Sequence, residues 1–110
     1  MVTSPPVYLT ARRYPRVCLP QGMFVAWYGA GQHDVSRVGT LGMGGVFIFA
    51  PHPPEIGTSI RLAFEVPGGE VKAEAVVRSA KSGEGMGVEF QKLGYRDRML
   101  LQQLIKRLLQ

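Results

Sequence analysis

The chain has 110 residues, 45% of them hydrophobic and 19% charged, enough for one domain around one modest core. No apolar run approaches the roughly 20 residues that span a bilayer, and the single cysteine, Cys18, excludes an internal disulfide. Of the net charge of +5, Arg12, Arg13 and Arg16 supply three, a focused patch that suits a compact anion better than a long polyanion.

Residues 1–10 contain two prolines and no periodicity, so a flexible N-terminal arm is expected there, with one domain over residues 11–110. The start Met1-Val2-Thr3-Ser4-Pro5-Pro6 lacks the charged opening and apolar stretch of a secretory signal. Together with the lone cysteine, this makes a cytoplasmic location the expectation. Arg12-Arg13-Tyr14-Pro15-Arg16 comes next, and Pro15 biases Tyr14 away from helix, so the segment is expected to be extended.

From Gln21 the pattern turns to β. Met23 to Tyr28 is rich in aromatic residues and ends at the turn signal Gly29-Ala30-Gly31. Val35 to Leu41 and Gly45 to Phe49 read as two further strands. Pro51, Pro53, Pro54 and Gly57 then interrupt the pattern. Ile60, Leu62, Phe64 and Val66 alternate with Arg61, Ala63 and Glu65, and Pro67-Gly68-Gly69 turns the chain into Val71, Ala73, Ala75 and Val77. After Ser82-Gly83-Glu84-Gly85, the residues Met86, Val88 and Phe90 complete a sixth strand. The fold class is mainly β: a six-stranded antiparallel barrel, which buries the edges that an open sheet would leave bare. Leu101, Leu104, Ile105 and Leu108, widened by Leu100 and Leu109, mark a closing helix that starts at Arg96 to Arg98. That helix either simply caps the barrel or also sets its outer edge against a partner or a second copy, so a monomer or a weak dimer is expected.

The residues carry little that points to catalysis. His33 and His52 lie in turn-like segments without the cysteines or carboxylates that metal-ligand spacing requires. There is no Gly-x-Ser-x-Gly elbow and no Gly-x-x-x-x-Gly-Lys phosphate loop. An enzyme is not expected, nor is a cofactor or metal. Phe24, Phe47, Phe49, Phe64 and Phe90 are expected in the core, which leaves Trp27 and Tyr28 as candidate exposed aromatics. So few stacking positions argue against binding of DNA or RNA.

Two features remain. Arginine grips phosphate through its planar fork and stacks on purine faces, so Arg12 and Arg16 on one extended segment suit two sides of a nucleotide. The glycine-rich run Gly42-Met43-Gly44-Gly45 reads either as a phosphate cradle or as a tight bend between strands. It does not open a helix, so the helix-terminus basis for anion binding is missing.

In this arrangement the sequence resembles the PilZ domain family, six-stranded barrels with a C-terminal helix that act as receptors for the bacterial second messenger cyclic di-GMP (c-di-GMP). The resemblance runs from Ala11 to Leu109. The family's Arg-x-x-x-Arg motif matches Arg12 and Arg16, with Arg13 as the frequent additional arginine. Its Asp/Asn-x-Ser-x-x-Gly motif leads into a strand of the form Gly-Gly-apolar-apolar-apolar, and Gly44-Gly45-Val46-Phe47-Ile48 fits that continuation. Pro54-Glu55-Ile56-Gly57, the strand Ile60 to Phe64, Gly87-Val88-Glu89-Phe90 and the closing helix follow the family order.

With Gly45 as anchor, Thr40 stands where the family has Asp or Asn, and Gly42 where it has Ser. A literal match to the motif, Asp34-Val35-Ser36-Arg37-Val38-Gly39, lies earlier but lacks the expected following strand. The Thr40 register is favoured. The resemblance implies that Arg12, Arg13, Arg16, Thr40, Gly42, Gly44 and Gly45 hold c-di-GMP, and that closure of the arginine arm signals to an effector protein. The alternative it leaves open is an adaptor that has lost c-di-GMP and works through protein contacts, for instance along the closing helix.

Overall fold

Alternating apolar and polar residues become strand where one side of the pleat is buried and the other is wet. A computed structural model describes residues 16–18 and 22–109. It contains β1 (Arg16–Cys18), β2 (Phe24–Gly29), β3 (Gln32–Gly42), β4 (Gly45–Phe49), β5 (Ser59–Val66), β6 (Gly69–Lys81), β7 (Gly85–Leu93) and α1 (Tyr95–Leu108). The ladder runs β3-β2-β5-β6-β7-β4 and closes through pairing of β4 with β3, while β1 adds to β3. Every pairing is antiparallel. The expected six-stranded barrel with a C-terminal helix is therefore the fold. The arm expected over residues 1–10, and the arginines Arg12 and Arg13, lie outside the described residues.

Several strands run longer than their apolar periodicity suggests. β3 begins at Gln32, not Val35, because Ala30 and Gly31 both adopt positive φ, 54° and 77°. That is the geometry of a two-residue hairpin turn whose twist matches the flanking strands. Pairing therefore resumes at once, with Gly29 opposite Gln32 and Tyr28 opposite His33. His33 and Asp34 face solvent, so they add strand length without adding a hydrophobic signal.

The core is built from the inward positions of every barrel strand: Val25 and Trp27, Val38 and Leu41, Val46 and Ile48, Ile60, Leu62 and Phe64, Val71, Ala75 and Val77, Met86 and Val88. Leu100, Leu101 and Ile105 of α1 join it and close one end of the barrel. Two polar contacts hold the start of the helix against the β5–β6 hairpin. The Asp97 carboxylate accepts the Lys72 backbone N–H at 2.9 Å, and Arg96 donates to the Gly68 carbonyl at 3.4 Å.

Four aromatic expectations are corrected here. Phe24, Phe47 and Phe49 lie outside the core, Phe47 half-buried on the outer face and the other two 53% and 42% exposed, because their strands already fill the inward positions with Val25, Trp27, Val46 and Ile48. Trp27 is buried, and its indole N–H finds a partner inside the barrel, leaving Tyr28 as the exposed member of that pair.

Candidate functional site

The second half of β3 organises the candidate site. Along one edge, β3 pairs with β2 from Gln32 to Arg37 and then with β1 from Thr40 to Gly42. The β1 register sets Cys18 opposite Thr40, Val17 opposite Leu41 and Arg16 opposite Gly42. Directly opposed residues of an antiparallel pair have Cα atoms about 4.5–5.5 Å apart. The tertiary fold thus brings Arg16 to the same ladder as Thr40 and Gly42, from which it is widely separated in sequence.

Along its other edge β3 pairs with β4, with Val38 opposite Ile48 and Leu41 opposite Val46. Three residue steps on β3 against two on β4 make a β-bulge at Gly39–Thr40. Val38 and Leu41 both point into the core, so Gly39 and Thr40 share the outer face opposite Phe47. A Cβ built on Gly39 would stand 3.3 Å from the Phe47 ring, in keeping with that placement.

The link between β3 and β4 is the bend Met43–Gly44, and it is tied to β7. The Gly44 carbonyl accepts the Phe90 N–H at 2.9 Å, and Gly45 sits opposite Glu89. The run Gly42-Met43-Gly44-Gly45 is therefore a tight bend between strands. Glu89 would repel an anion beside Gly45, but Arg78 Nε meets its carboxylate at 2.7 Å. Gln91 also donates to the same oxygen at 3.4 Å. The acid beside the glycine bend is thus offset locally.

The literal motif at Asp34 to Gly39 is placed differently. Asp34 sits opposite Trp27 on β2, and its side chain accepts the Val35 N–H at 2.8 Å. Ser36 is buried, and its hydroxyl accepts the Trp27 indole N–H at 3.0 Å. A buried indole N–H needs such a partner. Ser36 thus serves the barrel interior.

Next to Thr40 on the outer face lies a cluster that sequence reasoning missed. The Phe47 and Phe49 rings meet edge to face, 5.4 Å between centroids, and the Arg37 guanidinium lies 5.3 Å from the centre of the Phe49 ring. Strict alternation from Val46 was the available signal, because inward Val46 and Ile48 send Phe47 and Phe49 outward. A separate groove of about 1140 Å³ runs over the outer face of the barrel, lined by Ala26, Tyr28, Val35, Arg61 and Ala63 among others. Arg61 donates to the Tyr28 hydroxyl at 3.1 Å there. Among the described residues, Thr40, Gly42, Gly44 and Gly45 do not line it.

Among the described residues, no group of three or more His, Cys, Asp or Glu side chains is arranged to hold a metal ion. No helix among them is long and apolar enough to cross a membrane.

The fold has solved counterparts. The inhibitor of motility MotI/DgrA of Bacillus subtilis superposes with a TM-score of 0.70 at 24% identity, over 89% of this chain and 51% of that one. PlzA of Borreliella burgdorferi, solved in complex with c-di-GMP, superposes with a TM-score of 0.67 at 16% identity, over 87% of this chain and 42% of that one. The chain thus spans about half the length of the solved proteins it matches. No curated protein matches it in sequence. The family profile described as PilZ domain matches residues 10–107. With nearly the whole chain covered by that profile, and the barrel, closing helix and glycine bend all in the family order, the chain belongs to the PilZ domain family.

Proposed function

We propose that this chain is a c-di-GMP receptor domain in which Arg12, Arg13 and Arg16 close over a ligand resting on Thr40, Gly42, Gly44 and Gly45. One observation carries the reading: the β1–β3 register pairs Arg16 with Gly42. An arginine of the first motif is thereby set beside the position that the second motif occupies in the Thr40 register. Membership of the PilZ family and the likeness to a protein solved with c-di-GMP support the ligand class. Guanidinium groups meet phosphates in paired, charge-assisted hydrogen bonds and stack on guanine faces. The output is a change of surface, since a segment ordered over a ligand presents new contacts to an effector protein. No chemical step is involved, and the setting is the cytoplasm.

Thr40 and Gly42 cost affinity relative to a complete motif. Each lost hydrogen-bonding group is worth about 1–3 kcal/mol, or about one to two decades in Kd. Thr40 retains a hydroxyl on the outer face, and the arginines contribute the stronger, charge-assisted bonds. Calorimetric titration with c-di-GMP tests the reading, using the wild type with Arg12→Ala and Arg16→Ala. Binding in the micromolar range or tighter, lost in both variants, supports it. No heat up to millimolar ligand refutes it.

A second reading, an adaptor working through protein contacts, is favoured by α1. While Leu100, Leu101 and Ile105 face the barrel, Tyr95, Met99 and Leu109 lie exposed on its outer side. A partner whose binding is broken by Met99→Asp and is indifferent to nucleotide would establish it.

A further inference from the structure

We infer that Phe47, Phe49 and Arg37 form a stacking platform for one purine base of the bound cyclic dinucleotide. This rests on the c-di-GMP reading of the neighbouring site and extends it to residues outside the first motif and outside the Thr40 register of the second.

The cluster is prearranged. Phe47 and Phe49 lie opposite Gly87 and Gly85 of β7, and Phe47 also opposes the bulge at Gly39–Thr40. These glycines leave the rings room to settle against the sheet. A Cβ at Gly39 would stand 3.1 Å from the Phe49 ring, and one at Gly85 would stand 2.9 Å from the Phe47 ring. The edge-to-face contact of the rings and the guanidinium over Phe49 fix the pair further. Groups held in place before binding lose little freedom when a ligand arrives.

Its position suits a two-base ligand. Thr40 and Phe47 share one stretch of outer face, and Arg37 lies three residues back along β3, about 10 Å away. A cyclic dinucleotide carries its bases on opposite sides of a ribose–phosphate ring. With phosphates and one base at Arg16, Thr40 and Gly42, the other base can extend along the strands toward Phe49. An aromatic face accepts a purine, and arginine adds a cation over the stack and donors matched to guanine O6 and N7. Such a contact would offset part of what the altered second motif loses.

The competing account is that the rings merely cover glycine-rich strands. Calorimetry with c-di-GMP on the full chain separates the two, comparing wild type with Arg37→Ala, Phe49→Ala and Phe49→Tyr, each checked by thermal melting. The platform predicts binding about 5- to 150-fold weaker in both alanine variants. It also predicts near wild-type binding in Phe49→Tyr, and nuclear Overhauser contacts between Phe49 ring protons and guanine H8. If the wild type binds while folded alanine variants bind equally well, or no ring–base contact appears, the platform is refuted and the ligand reading stands. If the wild type does not bind c-di-GMP, the ligand reading fails and the platform falls with it.

Discussion

Arg16 stands directly opposite Gly42 in the β1–β3 ladder. The pairing ties the end of the arginine-rich segment to the end of β3 by backbone hydrogen bonding, and Thr40 stands opposite Cys18 in the same ladder. Restoring the family's acidic residue at Thr40 should therefore act on the ligand and not on the barrel. Thr40→Asp is expected to tighten c-di-GMP binding by about 1 kcal/mol or more, roughly fivefold, by adding an acceptor for guanine or arginine N–H groups. Calorimetry on the variant checks this, and unchanged affinity would remove Thr40 from the site.

Ser36 and Asp34 separate the two registers of the second motif. Ser36→Ala removes the acceptor of the buried Trp27 indole N–H, and an orphaned buried donor costs about 1–3 kcal/mol. A lower midpoint in urea unfolding is expected, together with c-di-GMP affinity like that of the wild type. Asp34→Ala is expected to change neither. Loss of binding in the folded Asp34 variant would favour the Asp34 register instead.

Gly85 is a steric requirement of the barrel. A Cβ there would meet the Ile48 carbonyl oxygen and stand 2.9 Å from the Phe47 ring. Because the first of these neighbours is backbone of a paired strand, the clash cannot be relieved by a rotamer change. Gly85→Ala should destabilise the fold by at least about 1–3 kcal/mol, the usual cost of overpacking, read as a lowered Tm. Gly83 provides the control for space, since a Cβ there meets nothing within 4 Å. Its positive φ of 82° leaves strain as the cost of Gly83→Ala.

Asp97 fastens α1 to the barrel by accepting the Lys72 N–H. Its place in the first turn also complements the positive end of the helix dipole. Asp97→Ala should cost about 1–2 kcal/mol and speed amide exchange at Lys72. Exchange at Val88, deep in the β6–β7 pairing, should change only through the global loss of stability.

Much of the fold is legible in the sequence, because it depends on local properties. The alternation at Ile60 to Val66 and the turn at Pro67-Gly68-Gly69 mark β5 and its hairpin with β6. The spacing of Leu101, Leu104, Ile105 and Leu108 marks α1. The aromatic residues were harder to assign, because hydrophobic type outweighed alternation. Phe24 and Phe49 look like core by composition, yet Val25, Trp27, Val46 and Ile48 already occupy the inward positions. The groove over Ala26, Val35 and Ala63 was equally hidden, since it arises where small side chains from β2, β3 and β5 fall side by side.

By itself, the sequence determined the six barrel strands, the closing helix, the concentration of positive charge at Arg12 to Arg16 and the glycine bend after Leu41. All of these follow from residue type and spacing along a single stretch of chain. Only the tertiary structure decided that Arg16 lies beside Gly42, that a bulge turns both Gly39 and Thr40 to the outer face, and that Ser36 belongs to the core with Trp27. The physical reason is that register is a relation between distant segments. It is set by which inward side chains fill the closed barrel together, and a shift of one residue would turn every side chain of a strand to its other face.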